Sequence, residues 1–244
     1  MSRDIEIYTE NYNSHRFEEV QVRYRKRKIL EILNKYKPKK ILEIGCGNDS
    51  IFNSYKEYEA VSVVEPSHAF YLKALEDFSK DEKVSLYNSF LEELPRETIG
   101  DFDFIIFSGL LHEVEVPEDM LKNVSRFCSK NTVVHINVPN SRSFHLLLAY
   151  SAGLIDSLGA LTPTARKFQQ NTTFDMDSLE EMVKKFGFMV LDKGSFFLKM
   201  FNHAKMQQCL ENGVIDDNVL DGLYRMVEYM PEFGSEIFVN IIKS

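Results

Sequence analysis

Along residues 40–139, short apolar runs alternate with segments in which apolar residues have a helical spacing. Short apolar runs have the length and the β-branched content of buried strands, and they lie at 40–44, 60–65, 83–87, 102–108 and 131–138. Between them lie segments with a helical spacing of apolar residues, notably 68–79. This alternation predicts an α/β fold with a parallel sheet and helices on both of its faces.

The pattern changes after Pro139. Helices are predicted at 143–158 and 175–186, strands at 188–191 and 236–242, and a helical insertion at about 202–232. We therefore expect a single domain over residues 1–244. It comprises an N-terminal helical segment at 1–37, a core at 38–139, 175–200 and 234–244, and cap insertions at 140–174 and 201–233. Because open α/β sheets bind ligands at the carboxyl ends of their strands, such a cap would cover a substrate and exclude water.

Composition narrows the possible partners. The chain has 244 residues, 44% of them hydrophobic, and a formal net charge of −8. A negative chain lacks the clustered positive charge that attracts nucleic acids and anionic membranes, so we expect neither as a partner. The basic run at 23–28 is the local exception. We interpret it as the solvated face of an N-terminal helix, with a docking patch for an anionic substrate as the alternative.

The three cysteines, Cys46, Cys128 and Cys209, are far apart in the sequence. Their number and spacing suggest neither a disulfide framework nor a metal-binding pair, so we expect a cytoplasmic protein without a metal. The first ten residues lack the apolar core of a secretory signal, and no apolar run approaches the roughly 18 residues needed to span a bilayer. We expect a monomer or a homodimer.

The segment at 41–48, ILEIGCGN, ends the first predicted strand in a Gly-x-Gly turn. Gly45 and Gly47 let the backbone turn tightly and pass close to a ligand. Glu43 would repel the pyrophosphate of a dinucleotide, and Ser50 stands where the dinucleotide fingerprint needs Gly or Ala. The turn is therefore predicted to hold a cofactor that is not a dinucleotide and that is cationic near Glu43.

Glu65 ends the second predicted strand, about 20 residues beyond the glycine turn, where nucleotide-binding βαβ units place a ribose-binding acid. The two oxygens of a carboxylate can accept hydrogen bonds from two vicinal hydroxyls. We therefore predict that Glu65 binds a ribose.

Together these residues resemble the class I S-adenosylmethionine-dependent methyltransferases, whose first motif is an acid, one residue and Gly-x-Gly after the first strand. After the fourth strand, Leu111, His112, Val114 and Pro117 fit the family pattern, but Glu113 stands where many members have a second histidine. The resemblance implies a Rossmann-like, mostly parallel seven-stranded sheet that ends in a reversed pair of strands, with a small helical cap. It also implies S-adenosyl-L-methionine as cofactor and S-adenosyl-L-homocysteine as product.

Carried over position by position, the resemblance implies a set of cofactor-binding residues at the strand ends. They are Glu43, Gly45, Cys46, Gly47, Glu65, Pro66, Ser89, Phe90, Ser108, Gly109 and Leu110. Ser89 replaces the aspartate that is more usual at the turn facing the adenine. Tyr12 and Arg16 are expected to fold over the cofactor, as the same region does in many relatives, and an aromatic face there would suit the positive sulfonium.

Four residues are candidates for catalysis. His112 and Glu113 directly follow the fourth strand, and His145 and His203 lie in the predicted cap. Histidine is the commonest general base because its pKa lies near neutrality. His135, in contrast, falls within a predicted strand and is expected to be buried and hydrogen-bonded.

A narrower resemblance concerns residues 138–155 and the later Gly-Phe, Gly and Lys-Met-Phe at 199–201. These are similar to a subgroup of bacterial methyltransferases of polysaccharide and secondary-metabolite pathways, in which Met200 is commonly proline and Gln170 often histidine. It implies a small polar acceptor, methylated on oxygen, such as a sugar or its nucleotide-linked form. N- or S-methylation, a protein acceptor, and a partner protein that binds the cofactor without catalysis stay open as alternatives. A nucleic-acid methyltransferase is least expected, since SGLLHE replaces the Asn-Pro-Pro-aromatic motif.

Overall fold

The structure is a computed structural model that describes residues 16–161 and 170–244. The predicted cofactor residue Tyr12 lies outside the described residues, and so does the side chain of Arg16.

Strands and helices alternate along the first part of the chain, as the sequence predicts. The strands are β1 (Lys40–Ile44), β2 (Ala60–Val64), β3 (Val84–Tyr87), β4 (Phe104–Ser108), β5 (Val133–Pro139), β6 (Phe188–Phe196) and β7 (Glu236–Lys243). The helices are α1 (Arg16–Tyr36), α2 (His68–Asp77), α3 (Arg96–Ile99), α4 (Pro117–Arg126), α5 (Phe144–Ser151), α6 (Met176–Lys185), α7 (His203–Glu211) and α8 (Asp217–Arg225).

Within the described ranges the strands form one seven-stranded sheet with the order β3-β2-β1-β4-β5-β7-β6. The first five strands pair in parallel, and β7 runs antiparallel to β5 and β6. The predicted fold class is confirmed. The carboxyl ends of β1, β2, β4 and β5 consequently lie along one edge of the sheet, where open α/β folds bind ligands.

Both faces of the sheet are covered. Ile41 of β1 belongs to an apolar cluster that also contains Leu33 of α1, whereas Leu42 belongs to a second cluster with Leu121 of α4. Successive side chains of a strand point to opposite faces, so a strand buried on both faces is apolar throughout. This explains why β1, β2, β4 and β5 stand out in the sequence as unbroken apolar runs.

Two elements differ from their predicted lengths. Strand β6 continues to Phe196, beyond the predicted end at Leu191, because an edge strand with one exposed face tolerates the polar Asp192 and Lys193. Helix α5 ends at Ser151 and does not reach residue 158. Gly153 there adopts φ +68°, and the N–H of Leu154 donates to the carbonyl of Ala149, as at many helix ends.

Helix α1 carries the basic run at 23–28, which is not simply a solvated face. Arg23 and Arg27 make ion pairs of 2.9 Å with two acids of α8, Asp217 and Asp221. Tyr24 is buried and stacks on Phe197 with ring centroids 4.7 Å apart. The second predicted insertion therefore packs its last helix against α1. Across the described residues, none of the helices combines the length and the apolar character that crossing a bilayer requires.

Candidate active site

The chain turns sharply after β1, at Gly45 (φ +72°) and Gly47 (φ +57°). The N–H of Gly45 donates to the carbonyl of Val64 at 2.8 Å, which ties the turn to the end of β2. A Cβ on Gly45 would lie 2.7 Å from Cδ1 of Leu110, in the loop after β4. The backbone conformation at Gly45 therefore favours glycine, and a side chain there would displace Leu110.

Replacing Gly45 by alanine is expected to lower both stability and cofactor affinity. The left-handed backbone alone costs about 1–2 kcal/mol with a side chain, and the new methyl group would also displace Leu110. Gly213→Ala is a matched control, because Gly213 has φ +67° but open space around it. Chemical denaturation should find a lower free energy of unfolding in both variants. Titration with S-adenosylhomocysteine should find weaker binding only in Gly45→Ala. Equal affinities in the two variants would contradict this assignment.

Glu43 is buried at the base of the turn. Its carboxylate accepts hydrogen bonds from Ser50 Oγ at 2.5 Å and from the N–H of Ile51 at 3.0 Å. Burial raises its pKa to about 7, although these two hydrogen bonds oppose the shift. Glu43 therefore stabilises the short helical turn at 51–53. Its partner Ser50 was considered in the sequence only as a departure from the dinucleotide motif.

Glu65 stands immediately after β2 and faces the glycine turn. Its carboxylate accepts from the N–H of Gly47 at 3.1 Å and from the N–H of Ser67 at 2.8 Å. Burial raises its pKa. Asn88, which the sequence did not single out, donates to the carbonyl of Glu65 at 2.9 Å and so fixes the strand end from the side of β3. Glu65 is thus held next to the turn by three independent contacts.

A cavity of about 2220 Å³ opens at the carboxyl edge of the sheet. It brings together most of the predicted cofactor residues, namely Glu43, Gly45, Cys46, Gly47, Glu65, Pro66, Phe90, Ser108, Gly109 and Leu110. Ser89 does not line it, since its hydroxyl lies 3.1 Å from the carbonyl of Phe90 and 2.9 Å from the carboxylate of Glu93. The Cys46 thiol is neutral there because burial raises its pKa.

His112 and Glu113 lie on the wall of the same cavity, 5% and 6% exposed. Nε2 of His112 is 3.7 Å from Oε1 of Glu113. The backbone N–H groups of Asn171 and Thr172 donate to the carbonyl of His112 at 2.9 and 3.2 Å, which fixes the loop that presents the two side chains. The geometry places an imidazole next to a carboxylate on the wall of the cavity, at a separation longer than a hydrogen bond.

The two other candidate histidines also line the cavity, on the side of the predicted cap. His145 Nδ1 lies 3.0 Å from Ser143 Oγ, and burial, together with the nearby Lys199 and His203, holds its pKa well below the usual range. His203 Nε2 lies 3.3 Å from the Glu18 carboxylate. Burial would raise the pKa of Glu18, but His203, Arg25 and Lys199 together lower it to about 2.

A buried polar network that sequence reasoning missed links α1 to the sheet. Arg25 binds both carboxylate oxygens of Glu236, which is 2% exposed, at 2.7–3.0 Å and reaches Glu18 at 3.4 Å. Asn137 Nδ2 donates to Glu236 at 2.6 Å, and Gln21 Nε2 donates to Ser235 Oγ at 2.6 Å. Partners 211 residues apart leave no local signal in a sequence.

Two expectations outside the cofactor loop can be compared with the structure. His135 is fully buried, with Nδ1 2.9 Å from Asn240 Oδ1, and burial lowers its pKa to about 4, as expected for a structural histidine. In the part of the chain that the structure describes, no three or more His, Cys, Asp or Glu side chains are grouped so that they could hold a metal ion.

The fold and the site define a class of protein. Residues 12–193 match the family model described as a methyltransferase domain. This match covers more than half of the chain, and the chain belongs to that family. The predictions of a methyltransferase and of an enzyme are thereby confirmed. No curated protein sequence matches the chain.

Solved structures share the fold at low sequence identity. N-methyltransferase NodS from Bradyrhizobium japonicum WM9, in complex with S-adenosyl-L-homocysteine, has a TM-score of 0.59 and 10% identity, covering 95% of this chain and 90% of that chain. Plantazolicin methyltransferase BpumL, also in complex with S-adenosyl-L-homocysteine, has a TM-score of 0.58 and 14% identity, covering 98% and 89%. A putative sarcosine dimethylglycine methyltransferase from Galdieria sulphuraria has a TM-score of 0.61 and 12% identity, covering 95% and 89%.

Proposed function

We propose that the protein transfers a methyl group from S-adenosylmethionine to a hydroxyl oxygen of a small polar acceptor, such as a sugar or a related metabolite of polysaccharide or secondary metabolism. One observation carries this proposal. The glycine turn, the Glu65 carboxylate and the His112–Glu113 pair all face one cavity at the carboxyl edge of the sheet.

The cofactor is S-adenosylmethionine, and the residues of the turn fit it. Gly45 and Gly47 expose backbone in the left-handed conformation that favours glycine, and Glu65 offers two carboxylate oxygens that suit the two vicinal hydroxyls of a ribose. When bound, this cofactor supplies an electrophilic methyl group on a sulfonium ion. The protein contributes the position of the acceptor, a task worth several kcal/mol in favourable cases.

The His112–Glu113 pair supports oxygen as the methylated atom. A hydroxyl is a weak nucleophile until a base removes its proton, whereas a neutral amine already carries a free lone pair. Glu113 stabilises the imidazolium that forms when His112 takes up that proton, since its carboxylate is 3.7 Å away and both groups are buried. Nitrogen stays the alternative, because NodS is itself an N-methyltransferase.

We also propose that the insertions at 140–174 and 201–233 form one cap over the acceptor. Their bases are joined, since Asn140 Nδ2 donates to the carbonyls of Glu232 and Gly234 at 2.9 Å. The N–H of Phe144 donates to the carbonyl of Phe233 at 2.9 Å. The described residues at the bases of the two insertions are therefore attached to each other.

Release of S-adenosylhomocysteine in the presence of a panel of sugars, amino sugars, sugar acids and nucleotide-linked sugars tests the proposed reaction. With an active acceptor, His112→Gln is expected to lower kcat by about 100-fold or more, the usual contribution of a general base. Its affinity for S-adenosylhomocysteine should not change. His68→Gln is the control, because His68 is exposed and does not line the cavity. Full activity of His112→Gln would refute the base assignment, and turnover only with amines would refute oxygen.

A further inference from the structure

Lys199 is a buried cation on the wall of the cavity. It follows β6 in the segment that leads into α7, and it is 5% exposed. The backbone beside it is fixed, since the N–H of Leu198 donates to the carbonyl of Leu223 at 3.0 Å. Among the described residues, no side chain or carbonyl makes a hydrogen bond or an ion pair with its ammonium group.

Glu18 and Glu236 interact electrostatically with Lys199, but each of them is hydrogen-bonded or ion-paired to other residues. Glu18 binds His203 and Arg25, and Glu236 binds Arg25 and Asn137. Burial lowers the pKa of Lys199 to about 8, although Glu18 and Glu236 oppose the shift. Burying a charge without a direct partner lowers the stability of a protein. Such a charge therefore suggests that a ligand binds to it.

Apolar side chains line the same cavity as Lys199. Leu148 and Leu154, from the first insertion, and Met200 and Phe201, which follow Lys199, line the same cavity. Leu148, Leu154 and Phe201 are 42%, 69% and 37% exposed, which is high for large apolar side chains. A cavity that combines a buried cation with exposed apolar side chains suits a ligand that carries an anionic group on a less polar body.

We propose that Lys199 binds a carboxylate or phosphate group of the acceptor and thereby positions its hydroxyl for methylation. This inference rests on the proposed function and deepens it, because it assigns a negative charge to the substrate. An anionic acceptor would supply the direct partner that the buried ammonium group lacks, and burial strengthens such a charge-assisted hydrogen bond.

Titration with simple anions tests the proposal without knowledge of the natural acceptor. The probes are benzoate, phenyl phosphate and the neutral benzyl alcohol, added to the protein alone and to the protein saturated with S-adenosylhomocysteine. The variants are Lys199→Met, which removes the charge at similar length, Lys199→Arg, which keeps it, and Lys80→Met, an exposed lysine outside the cavity.

Wild type, Lys199→Arg and Lys80→Met are expected to bind at least one of the two anions better than benzyl alcohol. Lys199→Met should bind that anion about tenfold more weakly or worse, as expected for the loss of a charge-assisted hydrogen bond. Preference for benzoate would indicate a carboxylate acceptor, and preference for phenyl phosphate a phosphate. Equal binding of all three probes, or unchanged affinity in Lys199→Met, would overturn the proposal.

The two levels of inference fail separately. If S-adenosylhomocysteine does not bind, the proposed function is wrong, and the anion titration of the protein alone still reports on Lys199. If it binds in all variants while the anions do not distinguish them, only the anionic acceptor is wrong. Unchanged affinity for S-adenosylhomocysteine in Lys199→Met also establishes that this variant is folded.

The pH dependence gives a second measurement of the same site. Anion affinity is expected to fall as the pH rises through about 8, because Lys199 then loses its charge. The charged and titratable groups that face it are Glu18 and Arg25 on α1, His145 on α5, His203 on α7 and Glu236 on β7. The pKa values of Glu18 and His145 are lowered, so neither titrates in this window. An unchanged profile in His203→Gln would exclude His203, and a flat profile in the wild type would contradict the assignment.

Discussion

Glu65→Ala is expected to lower the affinity for S-adenosylhomocysteine by about 100-fold, measured by calorimetric titration. The carboxylate is the only acidic group at the end of β2, and it offers charge-assisted hydrogen bonds that contribute about 1.5–3 kcal/mol each. Its loss would also release the N–H groups of Gly47 and Ser67, which it now orients, so the glycine turn would become less ordered.

Two further variants separate these effects. Glu65→Gln keeps the shape and one acceptor oxygen, so its affinity should fall between those of the wild type and of Glu65→Ala. Glu59→Ala removes an exposed acid before the opposite end of the same strand and should leave the affinity unchanged. If Glu65→Ala bound S-adenosylhomocysteine as tightly as Glu59→Ala does, the ribose assignment of Glu65 would be wrong.

Arg25→Met is expected to lower the free energy of unfolding by about 3–5 kcal/mol, the usual cost of removing one partner of a buried ion pair. Arg25 makes three hydrogen bonds to Glu236, and the side chains of the two residues are only 18% and 2% exposed. Without the guanidinium, a carboxylate would remain buried between α1 and the sheet with only the amides of Asn137 and Gln21 as donors. Urea denaturation followed by circular dichroism measures the change.

Arg23→Met, two positions earlier on the same helix, is the matched control. Arg23 and its partner Asp217 are 50% and 82% exposed, and exposed pairs of this kind contribute less than about 1 kcal/mol. The double variant Arg25→Met/Glu236→Gln should recover part of the lost stability, because it no longer buries an unpaired charge. Equal losses in Arg23→Met and Arg25→Met would mean that the Arg25–Glu236 pair does not stabilise the fold.

The parts of the fold that could be predicted are those in which local sequence and burial agree. Strands β1, β2, β4 and β5 are apolar on both faces, so their positions follow from composition alone. Strand β6 lies at the edge, where one face meets solvent, and its polar second half extends beyond the end predicted at Leu191. Helix α5 was predicted too long, because apolar residues continue beyond the turn that ends it at Gly153.

In the site, too, features set by local sequence could be predicted and features set by distant contacts could not. The places of Gly45, Gly47 and Glu65 in the structure could be predicted because they depend on backbone conformation and on the position of a strand end, which a short segment reveals. Lys199 and Glu236 could not, because each acquires its environment from elements that are distant in the sequence. A lysine in a strand-to-helix connection is ordinarily exposed, and only the packed structure distinguishes this one as buried.

Glu43 has a structural role that the sequence argument did not include. The sequence argument was that a carboxylate beside the turn would repel a pyrophosphate. In the structure this carboxylate is held by Ser50 and Ile51, and burial raises its pKa to about 7. In the structure Glu43 therefore stabilises the conformation of the turn. Repulsion of a dinucleotide still follows whenever the group is ionised.

Calorimetric titration of the wild-type protein with S-adenosylmethionine, and in parallel with NAD⁺, tests the central claim most directly. We expect one S-adenosylmethionine per chain with micromolar affinity, about 8 kcal/mol, and no binding of NAD⁺. Tighter binding of NAD⁺, or no binding of S-adenosylmethionine by a folded protein, would contradict the account of the glycine turn, of Glu65 and of the reaction that they serve.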